Sequence, residues 1–599
     1  MPIIQYRRPD AEAVQRLIQS GIHPVIARIL AGRGVAEPES VALLLRALEQ
    51  PGSMRDLEKA AHLVAECVLK QKTLFVIGDY DVDGGTATAL LIDFLTQCGA
   101  RVDFLIPNRV TEGYGLSPAL VERAAAHQAD CLITVDNGIS AFAGVEAAKA
   151  RGMTVIVTDH HLPGQGIPPA DAVVNPNQPG CRFPWKSTCG VGVAFYLAAA
   201  IKKVLIAAGH PPVHGLDLGQ FLDLVALGTV ADVVPLEKNN RIFIRAGLKR
   251  LRQGTARTGL LALMRVSGIS PATVQAEDLG FRLGPRINAA GRLEDMRVGV
   301  RLLLTRDAEE ADTLAKKLHS LNGERQQIEA EMLEQALERA QQLLPESPEG
   351  LPHPLTDEDA QAVQAPRVLC LQDPQGHEGV VGLVAGRIKE RTGLPTLVFA
   401  PGADTGVLKG SARSIPNVHI RDFLAEMDAQ HPGLILGFGG HAMAAGLTVR
   451  TQDFDRFAQI AQALALQRIP FDALAHRVWV DGEIEPDYCT LDLAQEIEAF
   501  GPYGNQFPAP LFIGTFRLLK SQRIGKDGQT LKISVALDGA GRTGQPLQAI
   551  QFKRGEVPDP EPGDICRFLY TLSVNRFRGE ESLQCIVQQV MEPISAAVV

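Results

Sequence analysis

The sequence predicts an α/β protein: a parallel-sheet domain, a second α/β domain joined to it by a long helix, and a small β-barrel at the carboxyl end. Three patterns predict it. From Thr73 onward, short apolar runs alternate with amphipathic stretches of helical length, the signature of a wound parallel sheet. Between Thr305 and Leu344, apolar residues recur at spacings near three, four and seven, as on one helix face. From Arg477, short apolar-rich runs follow one another without helices between them, as in a barrel or sandwich. At about 150 residues per domain, 599 residues suggest several domains and not one core.

In chain order, residues 1–70 read as a helical region punctuated at His23-Pro24, Gly32 and Pro51-Gly52. The parallel-sheet domain spans 71–300, with strands at Thr73–Ile77, Val102–Ile106, Cys131–Val135, Thr154–Val157 and Ala172–Val174. Thr86–Cys98 and Ala141–Arg151 read as crossover helices, and a helical stretch runs from about Val191 to Val266. Residues 301–344 form the long connecting helix, an inter-domain strut or an ordinary core helix, with Gly323 as a point of interruption. Residues 345–366 read as an exposed linker, since 345–360 hold four prolines and five acids with no Lys or Arg. The second α/β domain covers 367–466. The barrel covers 477–599, with strands at Leu511–Leu519, Leu531–Leu537, Leu547–Phe552, Cys566–Val574 and Leu583–Val590.

Composition excludes several classes. A net charge of −9 argues against a polybasic binder that holds nucleic acid by bulk charge, while leaving open a basic path in one cleft. Nine scattered cysteines without a CxxC argue against a disulfide framework or a zinc ribbon. The amino-terminal residues carry no apolar signal core, and no uncharged apolar run of about 18 residues is apparent. A cytoplasmic location is the expectation.

The chemistry gathers where a parallel sheet binds ligands, beyond the carboxyl ends of its strands. The first strand is followed by Asp79-Tyr80-Asp81-Val82-Asp83-Gly84-Gly85, the third by Asp136-Asn137-Gly138, and the fourth by Asp159-His160-His161; Asp232 follows a later apolar run. Alone, DxDxD is also the pattern of a solvated turn or a single calcium loop, and a His-His pair is often an accident of surface or core. Together at strand ends, hard oxygen ligands with imidazoles suit Mn²⁺ or Mg²⁺, and so many carboxylates suit two ions.

These residues resemble the DHH phosphoesterases: GDYDVDG, VDNG, TDHH and ALGTVADVVPL stand in that family's order. GPRINAAGR (284–292), HEGVVGLVAGR (377–387), GSARS (410–414) and GFGGHAMAAG (437–446) sharpen the likeness toward the family's single-strand-specific DNA exonucleases. The resemblance implies a DHH domain, a DHH-associated domain and a C-terminal OB-like barrel. It implies a metal-dependent exonuclease that degrades single-stranded DNA from the 5′ end to 5′-mononucleotides, in DNA repair and recombination. One ion falls to Asp79, Asp81 and Asp136 and the other to Asp83, His160 and Asp232, with Asp136 bridging. Asp159 then orients a histidine, and His161 touches the scissile phosphate. Arg109, Ser411 and Arg413 are assigned to a terminal 5′ phosphate, and Arg286, Asn288 and Arg292 to the strand behind it. His377, Gly440 and His441 join the DNA-binding set. A single-strand-binding protein and a helicase are the implied partners. The rival readings are a phosphodiesterase of the same family acting on short RNA or cyclic dinucleotides, and a non-catalytic DNA-binding scaffold.

Two basic clusters fit a strand path. Residues 282–306 hold Arg282, Arg286, Arg292, Arg297, Arg301 and Arg306, and residues 511–555 carry eight Lys or Arg against two acids. Either cluster alone is also what a solvated face looks like. Of the barrel aromatics Phe512, Phe516, Phe552, Phe568, Tyr570 and Phe577, alternation puts about half inward.

Overall fold

The computed structural model describes every residue except 1–2, 109–111, 113, 165, 345–365, 475–476, 526–527, 538–545, 553, 555–557, 578 and 592–599, and the side chains of Leu537 and Phe577. Arg109 and nearly all of the acidic linker therefore lie outside the described residues. The chain forms two compact units. One comprises chiefly Gln50–Asp232 and Gly247–His476, the other Ile3–Glu49, Val233–Ala246 and Arg477–Val599.

The chain opens with β1 (Ile3–Tyr6), α1 (Ala11–Gln19) and α2 (Pro24–Ala31), which belong to the second unit. The strand is a departure from the all-helical reading of residues 1–70, and its reason is a partner far along the chain, described below.

In the first unit, α3 (Leu57–Leu69) leads into β2 (Thr73–Ile77), α4 (Val82–Gln97), β3 (Arg101–Leu105), α5 (Pro118–Ala126), β4 (Cys131–Val135), α6 (Phe142–Ala150), β5 (Thr154–Thr158) and β6 (Ala172–Val174). The five strands pair in parallel in the order β3-β2-β4-β5-β6. Helices cover the sheet, so β4 is buried along its whole length and reads as a continuous apolar run, CLITV. Because the chain leaves β2 for one side and returns to the other at β4, the strand order reverses between them, and that crevice is where such sheets take ligands.

Helices α7 (Gly190–Ala207), α8 (Leu222–Ala231), α9 (Lys238–Arg252) and α10 (Thr258–Val266) follow. By length and composition α7 is long and apolar enough to cross a membrane, although it is not an uncharged run. It carries Lys202 and Lys203, and most of it is buried against its neighbours, as in the core helix of a globular domain. The short α11 (Ala276–Asp278) runs through a π-helical turn (Leu279–Leu283) into α12 (Gly284–Leu293) and α13 (Arg297–Leu304).

The long helix α14 (Ala308–Leu343) has 36 residues and passes Gly323 without interruption. Asp307 caps it through the Glu310 N–H at 2.7 Å. Leu314, Leu318, Leu321, Met332, Ala336 and Ala340 form its buried stripe. The second α/β domain follows as β7 (Leu369–Gln372), α15 (Val381–Thr392), β8 (Thr396–Pro401), β9 (Val407–Arg413), α16 (Ile420–Gln430), β10 (Ile435–Gly440), β11 (Ala444–Arg450) and α17 (Phe454–Arg468). Its sheet runs β10-β11-β9-β8-β7, parallel only between β7 and β8. Met332, Ala336 and Ala340 of α14 pack into the core on one side of this sheet, so the helix is both strut and core element.

In the second unit, β12 (Arg477–Val480) pairs in parallel with β1. Then come α18 (Leu491–Phe500) and a closed barrel of β13 (Phe512–Ile524), β14 (Thr530–Leu537), β15 (Leu547–Gln551), β16 (Ile565–Phe577) and β17 (Glu580–Val590). The strand order β13-β14-β15-β17-β16, five strands closing on themselves, agrees with the OB-like expectation. Phe512, Phe516, Phe568 and Tyr570 fill the barrel and are unavailable for stacking on bases, while Phe552 stands 56% exposed.

Candidate metal centre and strand-binding face

The loops at the carboxyl edge of the β3-β2-β4-β5-β6 sheet bring the acids and histidines together. Asp81 caps α4 by accepting the Gly84 N–H at 3.0 Å, which folds the DYDVDGG segment tightly back on itself. A Cβ at Gly84 would lie 2.6 Å from the Asp79 Cβ, so only glycine allows this turn. Asp136, directly after β4, has φ of 60° in the left-handed region. Its loop is braced by Asn137, whose amide donates to the carbonyls of Ile77 and Val135 at 3.0 and 2.8 Å, locking the ends of β2 and β4 together.

Within this frame, oxygens and nitrogens of Asp79, Asp81 and Asp136 lie within 4.8 Å of one another, and so do those of Asp83, His160 and Asp232. The two groups meet at His160, whose Nε2 lies 3.0 Å from Asp136 Oδ1, 3.5 Å from Asp232 Oδ2 and 3.8 Å from Asp83 Oδ2. Burial and the neighbouring His161 cation hold the His160 imidazole near a pKa of about 3, so it is neutral. Nε2 of His160 and Oδ1 of Asp136 are buried and hydrogen-bond to nothing among the described residues. A neutral imidazole among three carboxylates, with buried acceptors aimed at a common volume, is a donor set that fits a divalent cation. Hard oxygens with one imidazole fit Mn²⁺ or Mg²⁺.

The carboxylates crowd one another. Burial first, then the charge of Asp81, raises Asp83 to about 7, and burial with the neighbouring aspartates pushes Asp136 and Asp232 well up. Asp83 is additionally held by the amino end of α7, accepting the Gly190 and Val191 N–H groups at 2.6 and 2.8 Å.

His161 behaves differently. Its Nδ1 is 2.7 Å from Asp159 Oδ1 and is thereby engaged, which leaves Nε2 as the free ring nitrogen. Burial opposes charge on this ring, but the Asp159 hydrogen bond and charge outweigh it and raise His161 to about 9. Asp159 itself lies below the ordinary carboxylate range, because the His161 bond and charge overcome its burial. His441, from the GGH segment of the second α/β domain, stacks against His161 with centroids 6.0 Å apart and planes at 16°.

Other assigned residues sort into distinct settings. Arg413 Nη1 donates to Ser411 Oγ at 2.9 Å, and a Cβ at Gly382 of α15 would come within 2.7 Å of the Arg413 guanidinium. Arg292 donates to the Gly379 carbonyl at 2.9 Å, and His377 Nδ1 accepts the Gly379 N–H at 3.0 Å, so these two share one loop. Gly440 has φ of 147°, and a Cβ there would lie 2.4 Å from the Ala444 carbonyl oxygen. Arg286 donates to His319 at 3.2 Å. The Asn288 side-chain oxygen accepts the Val82 N–H at 3.1 Å, which ties α12 to the acidic loop.

The basic stretch 282–306 is not a continuous positive track. Arg282, Arg297, Arg301 and Arg306 are ion-paired with Asp278, Asp295, Glu310 and Asp93 respectively. In the barrel, Arg523 and Arg554 share Asp559.

Several participants carry no sequence signature that singles them out. Tyr114 donates to the Asp136 carbonyl at 2.8 Å and meets the His161 ring edge-on at 6.0 Å. Asn175 and Asn177 donate to the carbonyls of His161 and His160 at 2.9 and 2.6 Å. The only available hint is position: NPN follows β6 at the same sheet edge as the acids.

Comparisons with known proteins agree with this geometry. Residues 73–229 match the DHH family N-terminal domain, 365–466 the DHHA1 domain, and 480–589 the RecJ OB domain. The single-stranded-DNA-specific exonuclease RecJ of Dickeya dadantii is 43% identical over 590 residues, 98% of each chain. The RecJ of Escherichia coli is 41% identical, covering 98% of this chain and 99% of its own. A crystal structure of RecJ in complex with Mn²⁺ from Thermus thermophilus superposes with a TM-score of 0.78 at 30% identity, over 99% of this chain and 80% of that one.

Proposed function

The chain belongs to the RecJ family of single-stranded-DNA-specific exonucleases, and from that membership we propose that it removes nucleotides one at a time from the 5′ end of single-stranded DNA, with Mn²⁺ or Mg²⁺ as cofactor. The observation that carries the reading is the paired cage at the switch point between β2 and β4, with buried donors aimed at a shared volume.

Asp79, Asp81 and Asp136 would hold one divalent ion and Asp83, His160 and Asp232 the other. When bound, such ions supply a hydroxide nucleophile at neutral pH and offset charge on the phosphate. His160 serves as a ligand because burial keeps it neutral, with its nitrogen lone pair available. His161 serves differently. Fixed by Asp159, it presents Nε2–H to the scissile phosphate, holding a non-bridging oxygen or giving its proton to the leaving oxygen. His441 flanks that position from the second α/β domain, and Ser411 with Arg413 offers a forked cation to a terminal phosphate, which supports the 5′ polarity.

The full cage argues against a decayed scaffold, and the barrel argues against a substrate of only two nucleotides. A cytoplasmic site of action, with a single-strand-binding protein and a helicase as partners in repair and recombination, completes the reading. The test is digestion of end-labelled single strands with Mn²⁺. A 5′ label released first as a mononucleotide is the expected result; early release of a 3′ label alone overturns the polarity.

A further inference from the structure

We propose that the outer face of the β1–β12 strand pair is a stacking platform for single-stranded DNA, built from none of the cage residues, with Ile3, Arg477 and Trp479 outside the stretch that matches the RecJ OB domain. The proposal rests on the reading above that the substrate is a single strand.

The two strands pair in register as Ile3↔Arg477, Ile4↔Val478, Gln5↔Trp479 and Tyr6↔Val480. Side chains alternate along a strand. Ile4, Val478 and Val480 pack with Leu511, Ile513 and Leu569 on the barrel, which places Ile3, Arg477 and Trp479 on the opposite face. Ile3 and Trp479 are each 49% exposed. An indole left half in water at the centre of a short strand adds little to this fold, and Trp479 is one of only two tryptophans in 599 residues.

A cation accompanies it. The Arg7 guanidinium carbon lies 5.9 Å from the Trp479 ring centroid. Its nearest acid, Asp481, is 3.8 Å from Arg7 Nε, but both Asp481 oxygens are taken by Arg33 at 2.7 and 3.0 Å, and one also accepts the Leu511 N–H. One carboxylate between two guanidinium groups leaves a net charge of +1 facing the indole. Arg477 adds a second cation on the same face, with no ion pair among the described residues.

An exposed π-face beside arginines that still carry uncompensated charge matches the repeat of a single strand, in which a base stacks and its phosphate is held by a planar fork. An acidic protein segment would satisfy the arginines and leave the indole face without a planar partner, so nucleic acid is the better fit. Any base can stack, so the platform is indifferent to sequence.

Two measurements test this. In the first, wild-type protein in EDTA is irradiated with a single strand carrying 5-iododeoxyuridine, and the cross-linked peptide is mapped. In the second, Trp185→Phe makes Trp479 the sole tryptophan, and its fluorescence is followed during titration with oligothymidylate while anisotropy of a labelled strand reports total binding. The expected results are a cross-link at Trp479 and saturable quenching. Arg7→Ala should raise the half-quenching concentration about fivefold or more, the lower end of the contribution of one stacked base. A strand that binds by anisotropy yet neither quenches nor cross-links there overturns the platform and leaves the exonuclease reading intact. Quenching by a poly-glutamate peptide but not by oligothymidylate overturns it in favour of a protein partner. No binding by anisotropy overturns the single-strand reading, and the platform with it.

Discussion

His161 Nδ1 and Asp159 Oδ1 are 2.7 Å apart, and the Asp159 carboxylate also accepts the N–H groups of His160, His161 and Ile139. One buried carboxylate thus sets the loop that presents both histidines and, separately, the charge and aim of one ring. Asp159→Asn keeps an acceptor for the loop and removes the charge. The expected result is a fall of roughly 10- to 100-fold in kcat, the usual range for losing such a supporting group, with Mn²⁺ affinity and KM for DNA little changed. An equal loss in Mn²⁺ affinity, read by electron paramagnetic resonance titration, would instead make Asp159 a support of the ligand His160.

Removing the metals should reverse the usual pH dependence of stability. In the metal-free protein Asp83 is raised to about 7 and Asp136 and Asp232 are also raised, so between the ordinary carboxylate range and pH 7 the folded chain holds protons that the unfolded chain has released. Stability therefore falls as pH rises through that window. His161, raised to about 9, adds to the same trend, because its stabilisation is complete below its unfolded value and is lost toward pH 9. His160, lowered to about 3, opposes it by favouring the folded state above pH 6.5. His441, lowered by burial and the His161 charge, opposes it too, and four groups against two predict a metal-free melting temperature several degrees higher at pH 5 than at pH 8, and a stabilisation by Mn²⁺ that is larger at pH 8. Calorimetric melts in EDTA and in Mn²⁺ check both; equal Mn²⁺ stabilisation at the two pH values would contradict the raised carboxylates.

The parts of the site that were readable in the sequence are those carried by local pattern. Buried parallel strands are continuous apolar runs, so TLFVI and CLITV announce themselves, and each acid of the cage stands directly after such a run or in a distinctive cluster. What pattern could not carry was pairing at a distance. β1 is four residues whose partner begins at Arg477, so its strand character lies in that register and not in IIQY. The arginines of 282–306 summed to a positive track because Asp93 and Glu310, which neutralise Arg306 and Arg301, lie outside the counted window. The bond from the Val82 N–H to the Asn288 oxygen was equally invisible, since an amide side chain advertises hydrogen bonding without naming its partner.

Gly190, like Gly84, leaves the cage no room for a methyl group. Its N–H holds Asp83 at 2.6 Å, and a Cβ there would stand 2.6 Å from the Asp136 Cβ and 2.8 Å from Asp136 Oδ1. Gly190→Ala must move either Asp136 or the helix end that anchors Asp83. A loss of roughly 10- to 100-fold in Mn²⁺ affinity is expected, with activity recovering as Mn²⁺ is raised. Gly323→Ala is the control. It lies in the middle of α14 with nothing within 4 Å of a new Cβ, so it should stabilise the protein by about 0.5–1 kcal/mol and leave Mn²⁺ affinity unchanged. Unchanged Mn²⁺ affinity in Gly190→Ala would show that the cage tolerates displacement.

Arg413 decides whether polarity has a built reason. Its guanidinium is braced by Ser411 at 2.9 Å, and the side is kept open by Gly382, where a Cβ would intrude to 2.7 Å. A braced fork beside a missing side chain is suited to a phosphate dianion, and a charge-assisted contact of this kind contributes about 1.5–3 kcal/mol, or roughly 10- to 150-fold in affinity. Arg413→Ala should therefore raise KM by that factor on 5′-phosphorylated strands and much less on 5′-hydroxyl strands, with kcat at saturation nearly unchanged. Gly382→Ala should reproduce the same selectivity by displacing the fork without removing its charge. Equal losses on both kinds of end, in both variants, would mean that Arg413 holds an internal phosphate, and the preference for the 5′ end would have to arise elsewhere along the strand.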